Sequence, residues 1–325
     1  YTDGKADLST CFLQRCSTSC ERGGTFALVT PQNWWFQPTS TALRKGLLAS
    51  SSLNFLVTLG EEAWQSFGDR GPVAAMIAAT SAQANGDFNV AGIDALPRRS
   101  IEEKTQELLC GHILLPRQAD LASNPDSRLA FSSINSANLL ANSCESWQGL
   151  VTSDNPRFVL QFWEAWGHGW RPFISSPAKT RLYGGRECVV AWNDGAGSLH
   201  TEGRAHNFPP KSALGRRGVL VSQVRSLAAT IYTGEVFAHG SSPVIPADEN
   251  ILAALWCFLS SKDYEAAVRQ IDKKLAVTNG SLLKVEFDLT KWSAIAADRF
   301  PDGLPVAGST DPTQWLFDGR VNQSE

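Results

Sequence analysis

The sequence has little of what marks several large classes of protein. No stretch approaches the roughly 20 consecutive apolar residues that cross a bilayer, and the first residues show no basic start followed by an apolar core. Histidine is scarce: five in 325 residues (His112, His168, His200, His206 and His239), none at ligand spacing. The seven cysteines (Cys11, Cys16, Cys20, Cys110, Cys144, Cys188, Cys257) are odd in number and widely scattered. That suits a reducing, cytoplasmic setting better than a disulfide framework. Cys16 and Cys20 would share a helix face, but no His or second Cys pair completes a zinc set, so no metal is expected. Internal repeats, coiled-coil heptads and low-complexity tracts are also missing. Methionine occurs once, at Met76, and the chain begins at Tyr1. A natural start would be Met, which leads us to expect a piece of something longer.

What is present is an ordinary globular composition, 43% hydrophobic and 19% charged with net charge −3. Its length leaves room for two domains with real cores. The charge is unevenly spread. Residues 157 to 225 hold ten Lys and Arg against four Asp and Glu, while the segments on either side are acidic. The ten are Arg157, Arg171, Lys179, Arg181, Arg186, Arg204, Lys211, Arg216, Arg217 and Arg225. Phe158, Phe162, Trp163, Trp166, Trp170, Phe173, Tyr183, Trp192 and Phe208 are interleaved with them. Basic side chains among aromatics are the usual dress of a nucleic-acid surface. A solvated face over an aromatic core would give the same pattern. Lys273 and Lys274 read as the solvated face of a helix.

Along the chain, 7 to 20 has helical spacing, and Gly23-Gly24 then releases a short apolar strand at 25 to 30 that ends at Pro31. A helix at 39 to 49 follows, with Arg44 and Lys45 outward, then strands at 54 to 59 and 73 to 80. Strands separated by helices imply parallel neighbours in an α/β sheet, and the last two, with no helix between them, imply an antiparallel pair. Ligands on such sheets bind outside the carboxyl ends of the strands, where 31 to 35 and 60 to 67 would emerge. Two adjacent tryptophans, Trp34 and Trp35, sit there. The expectation is a cleft wall of Pro31, Asn33, Trp34 and Trp35, with one of the two indoles packed beneath it. Further on, 101 to 110 reads as a charged helix and 116 to 141 as a loose connector. Short β-like pieces follow at 187 to 192, 218 to 224 and 230 to 238, and helices at 250 to 261 and 264 to 275.

Several of these segments resemble the gamma-class adenine-N6 DNA methyltransferases. Asp7…Phe12…Gly23-Gly24-Thr25-Phe26-Ala27-Leu28-Val29-Thr30-Pro31…Trp34 is similar to the stretch after their catalytic motif. Phe55 to Ala79, with Leu59-Gly60-Glu61-Glu62-Ala63-Trp64, is similar to their final antiparallel pair. Gly149-Leu150-Val151-Thr152-Ser153-Asp154-Asn155-Pro156-Arg157-Phe158 resembles the start of their target-recognition region, where the common form has Gly at the place of Ser153. Arg181 to Gly185, the helix at 252 to 261 and Asp311 to Phe317 extend the match. The branch it most resembles is the large methyltransferases of restriction–modification and phage-defence systems of the BREX or DISARM type.

The resemblance implies the downstream half of a Rossmann-like sheet with an antiparallel terminal pair, followed by an α+β target-recognition domain. The implied domains are a partial catalytic domain over 1 to 100, a helical connector over 101 to 147, and the recognition domain over 148 to 325. It implies double-stranded DNA as partner, with Arg157, Arg171, Lys179, Arg181, Arg216, Arg217 and Arg225 in contact with it. It also implies Trp64, with Phe67 in reserve, stacking on an extruded adenine. The family's glycine-containing S-adenosylmethionine loop and its Asn/Asp-Pro-Pro-Tyr/Phe motif both precede the strand at 25 to 30. Neither is present in this chain. Asp154-Asn155-Pro156-Arg157-Phe158 is the nearest imitation, with Arg157 in place of the second proline. The chain alone is therefore expected to be inactive, with an upstream catalytic segment or a defence-system subunit as its partner. Two other readings stay open: a non-catalytic specificity module docked on a catalytic partner, and a protein scaffold without nucleic acid.

Overall fold

The computed structural model describes residues 2–60, 63, 73–131, 138–165, 168–202, 204–272 and 274–305. The chain divides into two compact units, at residues 1–136 and 137–325.

In the first unit, Asp7 caps α1 (Leu8–Ser19) by accepting from the Ser9 N–H at 2.7 Å, which satisfies one of the free amides of the first turn. Strand β1 (Thr25–Pro31) follows, then α2 (Thr41–Ser50), β2 (Ser52–Gly60), β3 (Ala74–Thr80) and β4 (Ala91–Asp94). The sheet order is β1-β3-β2-β4. The expected antiparallel pair is there, since β2 and β3 pair from Ser52↔Thr80 to Gly60↔Ala74. The expected neighbours are not. Strands β1 and β2 run in the same direction, but β3 lies between them, antiparallel to both. A hairpin-like return from β2 can fill the gap that a helical crossover leaves between two parallel strands. The fourth strand, β4, pairs parallel to β2. The extended stretch from Leu114 to Arg117 lies along its far side.

The core of this unit gathers Leu13, Phe26, Leu43, Leu47, Leu53, Leu56 and Ile77 on the covered face of the sheet. Two buried polar side chains fix its loops. Gln118, at the start of α4 (Gln118–Ser123), accepts from the Leu53 N–H and donates to the carbonyls of Leu48 and Ser51. Arg44, expected to point outward, is 0% exposed. Its guanidinium donates to the carbonyls of Trp34, Gln37, Asp126 and Ser127. Between the sheet and α4, α3 (Ile101–Cys110) opens with a capping box of Ser100 and Glu103.

The second unit is built on two four-stranded sheets. Strands β5 (Cys144–Ser146), β9 (Gly218–Ser222), β10 (Ala229–Tyr232) and β12 (Ser241–Pro246) form one, in the order β10-β9-β12-β5, antiparallel throughout. Strands β6 (Val159–Gln161), β7 (Trp170–Ile174), β8 (Cys188–Ala191) and β11 (Val236–Phe237) form the other, in the order β11-β7-β8-β6. The stretch expected as a single strand at 230 to 238 is therefore split between sheets, with Gly234 at φ 100° making the turn. Ile174, Leu220, Tyr232, Phe237 and Ile245 pack together across the two sheets. Around them lie the short helices α5 (Asn155–Phe158), α6 (Ser198–Thr201) and α9 (Asn279–Leu282), with α7 (Leu252–Leu259), α8 (Lys262–Ile271) and α10 (Leu289–Arg299). Helix α8 stops at Ile271, so Lys274 follows a helix rather than lining one.

Candidate nucleic-acid interface

The carboxyl ends of β1, β2 and β4 point the same way, which brings Pro31, Gly60 and Asp94 to one end of the first sheet. Trp34 and Trp35 emerge there on a 3-10 turn, Gln32–Trp35, and both indoles are in the core, at 2% and 1% exposure. Trp34 donates through Nε1 to Thr30 Oγ1 at 2.9 Å. The rings meet edge to face at 6.2 Å, and Trp35 meets Phe131 in the same manner at 6.4 Å. Only one was expected under the wall. Both rings turn inward on the 3-10 turn, whose Trp34 carbonyl accepts from Arg44. Of the four expected wall residues, Asn33 is exposed and Pro31 half-buried. Trp64 and Phe67 lie outside the described residues.

The basic side chains between residues 157 and 225 sort into two groups. Three are committed to structural pairs. Arg157 makes a bidentate pair with Glu202, both bonds 2.6 Å, over the Phe158 ring. Arg186 pairs with Glu235 at 2.8 Å, each side chain 10% exposed, and also donates to the Ile231 carbonyl. Arg216 meets Glu145 at 3.2 Å and donates to the Pro246 carbonyl. Lys179, Arg181, Arg204, Lys211, Arg217 and Arg225 are exposed and make no ion pair or side-chain hydrogen bond to any described residue. Arg171 is exposed on β7. The positive excess read from the sequence is thus real at the surface, but it rests on the second group.

The segment that imitates a catalytic motif forms the short helix α5, entered by the turn at Thr152 to Asp154. Ser153 has φ 59°, a left-handed conformation that suits glycine, and its Oγ donates to the Arg204 carbonyl at 2.9 Å. Thr152 bonds to Asn155, and Asp154 precedes α5. These residues and His239 edge a cavity of about 400 Å³. Phe173, 5% exposed, is among the residues that line it. His200 stacks on Phe208 at 4.5 Å and meets Trp192 edge-on, and this burial pulls its pKa below the ordinary imidazole value. Among the described residues there is no cluster of three metal-ligating side chains and no helix long and apolar enough to cross a membrane.

No protein-family model matches the chain, and no curated protein matches it in sequence. Solved structures do match. The chain is similar to the Type IIL restriction-modification enzyme MmeI in complex with DNA, with TM-score 0.53, 13% identity, and coverage of 90% of this chain and 43% of that one. It is also similar to a nuclease-deletion mutant of the Type ISP restriction-modification enzyme LlaGI in complex with a DNA substrate mimic. There the TM-score is 0.51 at 9% identity, covering 92% of this chain and 37% of that one. The chain thus shares a fold with part of each enzyme and spans less than half the length of either.

Proposed function

We propose that the chain is the DNA-recognising portion of an adenine-N6-specific DNA methyltransferase from a restriction–modification or phage-defence system of the BREX or DISARM type. The observation that carries this reading is the likeness of fold, over nine-tenths of the chain, to a restriction-modification enzyme held on DNA. In this reading the first unit is the downstream half of the catalytic sheet and the second unit reads the duplex. Pro31 and Asn33 flank the cleft at the strand ends, and Trp64, with Phe67 in reserve, stacks on the extruded adenine.

The open edge of β1 supports the idea of half a sheet. The Gly24 carbonyl accepts from the Ser81 N–H and the Gln32 N–H donates to the Val73 carbonyl, so the even-numbered residues between them face β3. The N–H and C=O groups of Thr25, Ala27 and Val29 then face away from it, with no bond to any described residue. Val29 is 54% exposed beside them. A bare edge of this length is a template for one more strand. A catalytic segment carrying the S-adenosylmethionine loop and the proline pair would supply that strand, whether it belongs to the same polypeptide or to a subunit.

Purified residues 1–325 should transfer no radiolabelled methyl group from S-adenosylmethionine to duplex DNA, and should do so once the catalytic segment is added. Transfer by the chain alone refutes the reading of an incomplete enzyme. Failure to bind duplex DNA at all favours a protein scaffold.

A further inference from the structure

The turn between β9 and β10 has a backbone that its sequence does not favour. Arg225 and Leu227 both have positive φ, 54° and 49°, though neither is glycine. Such conformations cost free energy and persist only where the surroundings hold them. Here the holding is visible. Leu227 is 2% exposed and anchors the turn in the core, while Arg225 and Ser226 are thrust out. The Leu227 N–H closes the turn on the Val224 carbonyl, and the Val277 N–H donates to the Gln223 carbonyl.

Arg269, near the end of α8, braces the turn from the side. Its Nη2 donates to the Arg225 carbonyl at 2.5 Å and its Nη1 to the Lys274 carbonyl. The stretch it grips is itself fixed by Asp272, 1% exposed, whose carboxylate accepts from the Lys274 and Thr278 amides and from Ser281 Oγ. The loop that carries Lys179 and Arg181 is laid along the same strand pair. Ser176 Oγ donates to Ser222 Oγ at 3.1 Å, the Ala229 N–H to Thr180 Oγ1, and the Arg181 N–H to the Ala229 carbonyl. Three exposed cations that make no ion pair with any described residue therefore stand on the β9–β10 turn and on a loop tied to the strand ends that flank it. Arg217, which also makes no ion pair with a described residue, precedes the opposite end of β9, a strand of five residues that spans about 17 Å.

We propose that the β9–β10 turn and the 175–181 loop form a grip on the DNA phosphate backbone, in which Lys179, Arg181 and Arg225 contact phosphates and Arg269 is a positioning residue. A rigid pair of loops presents its cations at fixed spacing, as a periodic polyanion requires, and phosphate contacts set the register in which bases are read. The proposal rests on the reading of the second unit as DNA-binding and assigns the place where it binds.

The test is the binding of the 325-residue chain to a fluorescein-labelled duplex, followed by anisotropy over a series of salt concentrations. Each phosphate contact contributes about 0.9 to the slope of log affinity against log salt. Reversing all three cations (Lys179→Glu, Arg181→Glu, Arg225→Glu) should flatten the slope by about 2.7, and each single reversal by about 0.9. Arg217→Glu should change it much less. Arg269→Lys keeps the net charge but cannot span two carbonyls, so it should weaken binding, whereas a purely coulombic role predicts no loss. The single reversals keep the test decisive if the triple variant does not fold. Unchanged slopes in all of these variants, with the wild-type chain still binding in a salt-dependent way, overturn the grip and leave the functional reading intact. A wild-type chain without salt-dependent duplex binding overturns both.

Discussion

Arg44 holds four backbone carbonyls from two loops, and both its cost and its value are electrostatic. Burial, and then the like charge of Arg128, push its pKa down to about 10 against the attraction of Asp126. The charge is held by the carbonyls of Trp34, Gln37, Asp126 and Ser127, to all of which the guanidinium donates. Arg44→Met keeps the bulk and strands those acceptors, so it should destabilise the first unit by roughly 3 kcal/mol in denaturant unfolding. Its burial was legible: Arg44 lies three and four residues before Leu47 and Leu48, on the covered face, and only its charge argued otherwise. Ser153 was half legible, since the common form of the resembling motif has glycine there and the structure shows why. Ser153→Gly should be neutral or stabilising by up to about 1 kcal/mol, the lost hydroxyl bond to Arg204 opposing the relief of strain. Ser153→Val should destabilise. The His200 pKa is lowered by burial, so folding favours the neutral ring. Its contribution is full above the unfolded imidazole value and falls away as pH drops below it. His200→Phe should flatten that part of the curve of stability against pH. At Trp64 the proposed stacking is worth about 1 to 3 kcal/mol. In the proposed full methyltransferase, Trp64→Ala should therefore lower methylation of paired adenine more than of adenine opposite an abasic site, where extrusion is already cheap. Equal losses on both substrates would leave the ring no part in extrusion.

Elements with local signals could be read, and elements made by partners could not. The capped helix α3 and the alternating strand β3 announce themselves. Strand β12 does not: its sequence, SSPVIP, carries two prolines and two serines, yet all six residues are buried. Its place between β9 and β5 makes it a strand, and Pro243 is tolerated because it precedes the stretch paired with β5. Strand β4, four residues with a central glycine, has too little pattern to detect. The strand direction of β1 and β2 could be inferred, but the insertion of β3 depends on pairing that is non-local in sequence. The open edge of β1 gives the element-scale prediction. Ala27→Pro removes an N–H that faces away from β3 and leaves the β1–β3 ladder intact. It should cost this chain less than about 1 kcal/mol, yet abolish methylation when the chain is combined with a catalytic segment. Undiminished methylation would mean that the edge is not the seam.

For the molecule, the uneven charge was the most telling feature of the sequence and also the one most in need of correction. Arg157, Arg186 and Arg216 count toward the excess but are spent on Glu202, Glu235 and Glu145. Such pairing joins residues 45 to 71 positions apart, beyond the reach of any local pattern. The cations left over are exposed, and those on the β9–β10 turn and the loop beside it are held on braced backbone. The central claim is that this chain binds duplex DNA through them, and the slope of log affinity against log salt for the wild-type chain tests it most directly. The account predicts tight binding at low salt that weakens with a slope of about −3 or steeper, reflecting at least three phosphate contacts. An affinity that does not change with salt, or no affinity for duplex DNA, would contradict it.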